Sequence, residues 1–175
     1  MLLDLMFKRR SIRSYAEKPV ENEKLAVLAK AVLLAPSSRG IFPCEYVIVR
    51  DKKTLEALSR AKAHGSSFLK NAPLGIVVCA DTRKSDVWVE DASIASTYIM
   101  LFAQSLDLGS CWIQIRKRKN SEGESSSSYI RSVLGIPEGY EIESIIAIGY
   151  PEREHPAHTE DELDFEKLHY EKYQG

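Results

Sequence analysis

Apolar and polar positions alternate along this chain in blocks that read as interleaved helices and strands. Leu2, Leu3, Leu5, Met6 and Phe7 form a short amphipathic helix that ends at Lys8. Asn22 is placed to cap a helix through Ala35, with Leu25, Leu28 and Val32 on one face and Pro36 as its stop. Tyr46 to Val49 lie in a strand over Glu45–Arg50, and Asp51 caps a short helix carrying Leu55, Leu58 and Ala61. Residues 63 to 73 read as loop around a helical turn at Phe68-Leu69. The unbroken run Gly75–Ala80 has strand length and no polar face, so it is expected at the centre of a sheet, covered on both sides.

The longest helix is expected from Ser85 or Asp86 to Leu108, with Gly109 as its C-terminal stop. Its interior residues Ala92, Ile94, Ala95, Ile99, Met100, Leu101, Phe102 and Ala103 leave no clear polar face, so it belongs in a core or against a second subunit. A strand over Ser110–Ile115, a mobile polar loop over Arg116–Ser128, a helix over Tyr129–Leu134 and a strand over Glu143–Gly149 follow. The basic run Arg116 to Lys119 reads as a solvated part of that loop. The tail from Pro151 is charged, has little to bury, and is expected to lie across something else. About four strands among five or six helices fit a three-layer α+β or α/β domain spanning residues 1–175, with no repeat and no linker.

Composition adds mainly exclusions. A chain of 175 residues buries a sizeable core without disulfides or metals. A formal net charge of −1 argues against general nucleic-acid binding, which rests on neutralising phosphates. Cys44, Cys79 and Cys111 are odd in number and sit in apolar segments, so they read as reduced core thiols of a cytoplasmic protein. No run is long enough to span a bilayer, and the apolar start precedes its basic residues, the reverse of a signal peptide.

The densest candidate chemistry is Lys8-Arg9-Arg10-Ser11-Ile12-Arg13-Ser14-Tyr15. Guanidinium forks beside hydroxyl donors suit a phosphate; the same residues also suit a solvated basic end to the first helix, where they complement the macrodipole. Other chemistries lack their patterns: there is no Gly-x-Gly-x-x-Gly, no P-loop and no Gly-x-Ser-x-Gly. His155 and His158 flank Pro156 without a further ligand set, so no metal site is expected.

Seven pieces in succession carry a resemblance. They are the Arg-x-Ser-x-Arg element at Arg9–Arg13 leading to Pro19-Val20; Ala35-Pro36-Ser37-Ser38 with Pro43; Asn71-Ala72-Pro73; Asp91–Ala95; Leu108–Trp112; Leu134–Pro137; and Ile148–Pro151. Together they cover nearly the whole chain, and the succession resembles the nitroreductase family of flavin mononucleotide (FMN) enzymes. The resemblance implies an α+β, three-layer homodimer with a mixed central sheet, a long buried helix at the subunit interface, and a carboxyl tail reaching over the partner.

The resemblance also implies a site. Arg9 and Ser11 match the positions that hold the FMN phosphate, and Arg10 a variable position with a backbone contribution. Arg13 matches the basic residue at the N1/O2 edge of the flavin, where a fixed cation stabilises the charge left by hydride transfer. Pro36, Ser37 and Ser38 match the loop that completes the FMN site of the other subunit, and Arg39 beside them could offset the departure at Gly40 and Phe42, an ordinary surface loop arginine being its default reading. Trp112, Ile113 and Gln114 match the strand behind the isoalloxazine, with ordinary core packing as the other reading of Trp112. Gly149 matches the strand end near the phosphate. The chain departs from the pattern at Gly40 and Phe42, where Asn and Gln are common, in its acidic tail, and in having no helical lid. The function implied is an oxidoreductase with non-covalent FMN, NAD(P)H as co-substrate and a small-molecule acceptor. Those departures motivate the alternative of a flavin-binding carrier or sensor with little turnover.

Overall fold

A computed structural model describes all 175 residues. Five α-helices and four strands follow the chain as α1 (Leu2–Lys8), α2 (Asn22–Leu33), β1 (Cys44–Val49), α3 (Lys52–Ser59), β2 (Leu74–Asp81), α4 (Trp88–Ser105), β3 (Gly109–Gln114), α5 (Ser126–Leu134) and β4 (Tyr140–Gly149). The sheet order is β1-β2-β4-β3. The three layers are those expected, and one helical turn at Ser67–Asn71 falls where Phe68-Leu69 suggested it.

The sheet corrects one expectation. It is antiparallel throughout its four strands, not mixed. The parallel pairing comes from outside the named strands, as a bridge between Ser11 and Ser110 on the free side of β3. Hydrophobic period gives strand faces but not strand directions, and direction depends on which distant segments meet.

Side-chain alternation divides the core in two. Val77, Cys79, Ile113, Ile145 and Ala147 face α3 and α5, together with Leu55, Leu58 and Ile130. Leu74, Ile76, Val78, Ile146 and Ile148 face α2 and α4, together with Leu28, Val32, Ala95, Ile99 and Ala103. Every residue of β2 is buried, as an apolar run between two helical layers requires. α4 buries Ala92, Ala95, Ser96, Ile99 and Ala103 against the sheet, while Ile94 and Phe102 stay exposed on its other side. No helix is long and apolar enough to cross a membrane. The cysteines are free: Cys79 and Cys111 are buried, Cys44 half-buried.

Element ends show where local chemistry rules. Asp51 caps α3 as expected, accepting from the Thr54 amide at 2.8 Å. α2 stops at Leu33 rather than Ala35, since the residue before a proline is pushed out of helical geometry. α4 starts at Trp88 and ends at Ser105, inside the expected span; its exit residue is Asp107 at φ 59°, and Gly109 instead opens β3. α5 begins at Ser126, earlier than expected, because Ser125 caps it and the serine run forms its first turn. The preceding loop is pinned: the Asn120 side-chain oxygen accepts from the amides of Glu122 and Glu124 at 3.0 and 2.9 Å. Beyond His158 the tail is exposed apart from the half-buried His169.

Candidate functional site

α1 leads into an extended Arg9 at φ −64° and ψ 124°, which turns the chain toward the edge of the sheet. There the Ile12 amide donates to the Ser110 carbonyl at 2.9 Å. Three residues on, the buried Tyr15 hydroxyl lies 2.6 Å from the Ile12 carbonyl and 3.2 Å from that of Ala147. The Ala16 amide then donates to the Tyr150 carbonyl at 2.9 Å. The arginine element is therefore a short strip fastened parallel to β3 at one end and, through Tyr15 and Pro151, antiparallel to the chain leaving β4 at the other. A phenol held this way is costly to ionise; burial raises the Tyr15 pKa far above its ordinary range.

This docking gathers charge on one side of β3. The Cys111 thiol is raised by burial, against the pull of Arg13, Arg9 and Lys62 and a hydrogen bond from Ser11. Those four side chains thus share the neighbourhood of one buried thiol. Lys62 is itself lowered, first by burial and then by the charge of Arg118. None of Arg9, Arg13, Lys62 or Arg118 lies within ion-pair distance of a carboxylate. Neighbouring cations without carboxylate partners repel one another, and an incoming anion removes that cost. Arg9 and Lys62 are half-buried while Ser11 and Arg13 are exposed, so the group opens to solvent. Lys62 carried no signal in the sequence; only the fold brings the loop after α3 to this place.

β3 supplies the second feature. It is one of the two edge strands, and because Ser110 uses its carbonyl outward, alternation turns the main-chain groups of Trp112 and Gln114 outward too. Their side chains lie on the α4 side, where Trp112 packs against the core, whereas Ile113 points to the other layer. The indole N–H of Trp112 donates to the Gln114 side-chain oxygen at 2.9 Å. The strand read as a backing for a ring thus presents an open backbone edge.

The other sequence candidates divide. The Arg10 guanidinium turns to the tail, 3.3 Å from His158 Nδ1, and the His158 amide donates to the Phe7 carbonyl at 2.8 Å. Gly149 is closed off by packing, since a Cβ there would stand 2.5 Å from Pro73 Cδ and 2.9 Å from Tyr15 Cδ1. Pro36, Ser37, Ser38 and Arg39 form a separate cluster with α4. The Ser37 hydroxyl and Ser38 amide donate to the buried Asp91 at 3.0 and 2.8 Å, and Arg39 pairs with Asp86. No hydrogen bond or ion pair joins this loop to the arginine element within one chain. Arg39, Gly40 and Phe42 all have positive φ, at 55°, 64° and 50°, and Phe42 is exposed. No group of three or more metal-ligating side chains occurs.

The model of the nitroreductase family matches residues 6–65 and 55–150. The chain belongs to the nitroreductase family. A relative in Archaeoglobus fulgidus, named provisionally as an NADH dehydrogenase/NAD(P)H nitroreductase, is 35% identical, the match covering 98% of each chain. An FMN-dependent nitroreductase from Clostridium difficile R20291 superposes with a TM-score of 0.96 at 48% identity, over 98% of this chain and 99% of that one. The fold extends to the NADPH:FMN oxidoreductase of Vibrio harveyi, at a TM-score of 0.82 and 22% identity, over 99% of this chain and 78% of that one.

Proposed function

We propose that this family member is an FMN-dependent oxidoreductase that takes reducing equivalents from NAD(P)H and delivers them to a small oxidised acceptor, of the nitroaromatic, quinone or enone class, in two alternating half-reactions. The observation that carries this reading is the arginine element, with its unpaired Arg9 and Arg13, fastened beside the open edge of β3 by the Ile12–Ser110 hydrogen bond, with Lys62 in the same neighbourhood. FMN suits it on two counts: its phosphate is a dianion needing concentrated positive charge, and its ring carries hydrogen-bonding atoms along one edge.

Arg9 and Ser11 would hold the phosphate, and Arg13 with Lys62 would place positive charge at the ring. The outward main-chain groups of Trp112 and Gln114 would orient the ring by its polar edge. When bound, the cofactor accepts a hydride and passes on two electrons, so the chain itself need supply only binding, orientation and charge. A second copy of the chain would bring Pro36, Ser37, Ser38 and Arg39 to the same site. The exposed apolar side chains of α1 and α4 are suited to bury that contact.

The test is the visible spectrum of the purified protein titrated with FMN, then with NADH or NADPH without oxygen, then with an acceptor. Saturable binding, bleaching by the nicotinamide and recovery on adding acceptor are expected. Arg9→Ala should weaken FMN binding roughly 10- to 150-fold, the worth of one charge-assisted contact of about 1.5–3 kcal/mol. Absence of bleaching in an FMN-loaded dimer removes the enzymatic claim and leaves a flavin carrier.

A further inference from the structure

A bulge in β4 leaves one buried carboxylate that the site just described does not use. Beside β2 the register steps from Val78–Ser144 to Cys79–Ile142, so Glu143 is the extra residue. Its side chain is 5% exposed. Glu143 Oε1 accepts from Gln114 Nε2 at 3.0 Å, and Gln114 Oε1 accepts from the Trp112 indole at 2.9 Å. The chemistry allows that amide one orientation. An indole N–H can only donate, so it must meet the Gln114 oxygen, which leaves the amide NH2 for the carboxylate. The same NH2 reaches the Arg116 carbonyl at 3.3 Å.

Glu143 Oε2 has no hydrogen-bond partner. Its nearest cation is Arg116, with Nε 4.0 Å away and the guanidinium lying over the Trp88 ring, 5.8 Å from its centroid. A buried carboxylate with an unmatched oxygen is expensive, and an apolar side chain of similar volume would fill the space without that cost. What the carboxylate adds is a locked amide and a fixed negative charge directly behind Trp112 and Gln114, whose backbone faces the open edge.

We infer that Glu143 is a positioning residue for the flavin: through Gln114 it fixes the Trp112–Gln114 edge, and its charge holds down the reduction potential of FMN bound there. This inference rests on the FMN reading. A negative charge beside a group that gains electrons opposes the gain, and burial keeps solvent and salt from screening it.

The experiment measures midpoint potentials of FMN-loaded wild type, Glu143→Gln and Arg116→Gln by equilibration with a dye of known potential. Glu143→Gln keeps the shape and an oxygen for Gln114 but loses the charge. It should favour reduced flavin about tenfold, an upward shift of about 30 mV for a two-electron couple. Arg116→Gln, at the half-exposed end of the chain of contacts, should move the potential downward. In a Gln114→Leu background the shift caused by Glu143→Gln should persist, since the charge acts through space, whereas Gln114→Leu alone keeps the charge but unlocks the edge and should weaken FMN binding.

An unmoved potential in FMN-bound Glu143→Gln, or shifts of the same sign in both single variants, overturns the inference. A Gln114→Leu variant that binds FMN as tightly as wild type overturns the positioning route through Gln114. Should Glu143→Gln fail to fold, Arg116→Gln decides alone, an unchanged potential being the refuting result. Wild-type protein that takes up no FMN refutes the functional reading first, and the role of Glu143 falls with it.

Discussion

Ile12 lies so close over Gly109 that a Cβ on the glycine would stand 2.7 Å from Ile12 Cγ1 and 2.9 Å from its Cβ. The contact is what lets the arginine element settle flat on β3. Gly109→Ala should therefore act twice. Overpacking costs about 1–3 kcal/mol, and the displaced element should weaken FMN binding, because Arg9 and Ser11 ride on it. Thermal melts and an FMN titration of one preparation check both effects; loss of stability with unchanged affinity would separate the contact from the site.

Asp91 ties the loop of residues 36–42 to the long helix through Ser37 and Ser38. It is 3% exposed, and its two partners donate charge-assisted hydrogen bonds. Asp91→Ala should cost about 3 kcal/mol in denaturant unfolding, given 1.5–3 kcal/mol for each such bond and partial relaxation. It should also free Phe42 from its left-handed conformation, which the Ser37 hydroxyl supports by accepting the Phe42 amide at 3.0 Å.

An apolar groove is lined by Leu2, Leu5, Tyr98, Leu101, Phe102 and Ser105 between α1 and α4. Leu2 is 62% exposed and Phe102 37% in one chain. If this groove forms the contact between two copies proposed above, burying a charge there is prohibitive, so Leu101→Glu should shift the protein toward monomer and weaken FMN binding in parallel. Sedimentation velocity gives the first result and absorbance titration the second. A variant that remains dimeric would place the interface elsewhere.

Asp81 sits at the end of β2, gripped by Arg83 through Nε at 2.8 Å and Nη2 at 2.9 Å. The Arg83 guanidinium holds its carboxyl at about 2, below the ordinary value. A group depressed in the folded state stabilises fully above its unfolded pKa of about 3.9, and loses that contribution as pH falls toward 2. Asp81→Asn should melt below wild type at pH 7, with the gap closing between about pH 4 and pH 2. A gap that persists at pH 2 would show that charge is not its source.

Much of the fold was legible where the cause is local. The unbroken run of β2 announced a strand covered on both faces, and Asp51 announced the start of α3. The small and apolar residues of α4 announced its burial. The end of α4 and the start of α5 depart from the sequence pattern for equally local reasons: Asp107 takes the left-handed exit usually given to glycine, and serines that look like loop supply a cap and a first turn. The candidate site was half legible. Arg9, Ser11 and Arg13 lie in one stretch and could be proposed together, but Arg10, in the same stretch, turns to the tail instead.

The sequence by itself determined the elements, the two faces of each central strand and the family-like order of motifs, since these follow from side-chain period, capping and backbone preference within a few residues. Tertiary structure alone decided that the sheet is antiparallel, that Lys62 joins the arginines, and that a bulge brings Glu143 behind Gln114. The physical reason is that these depend on which distant segments pair, and on space and charge that exist only once the chain has closed on itself.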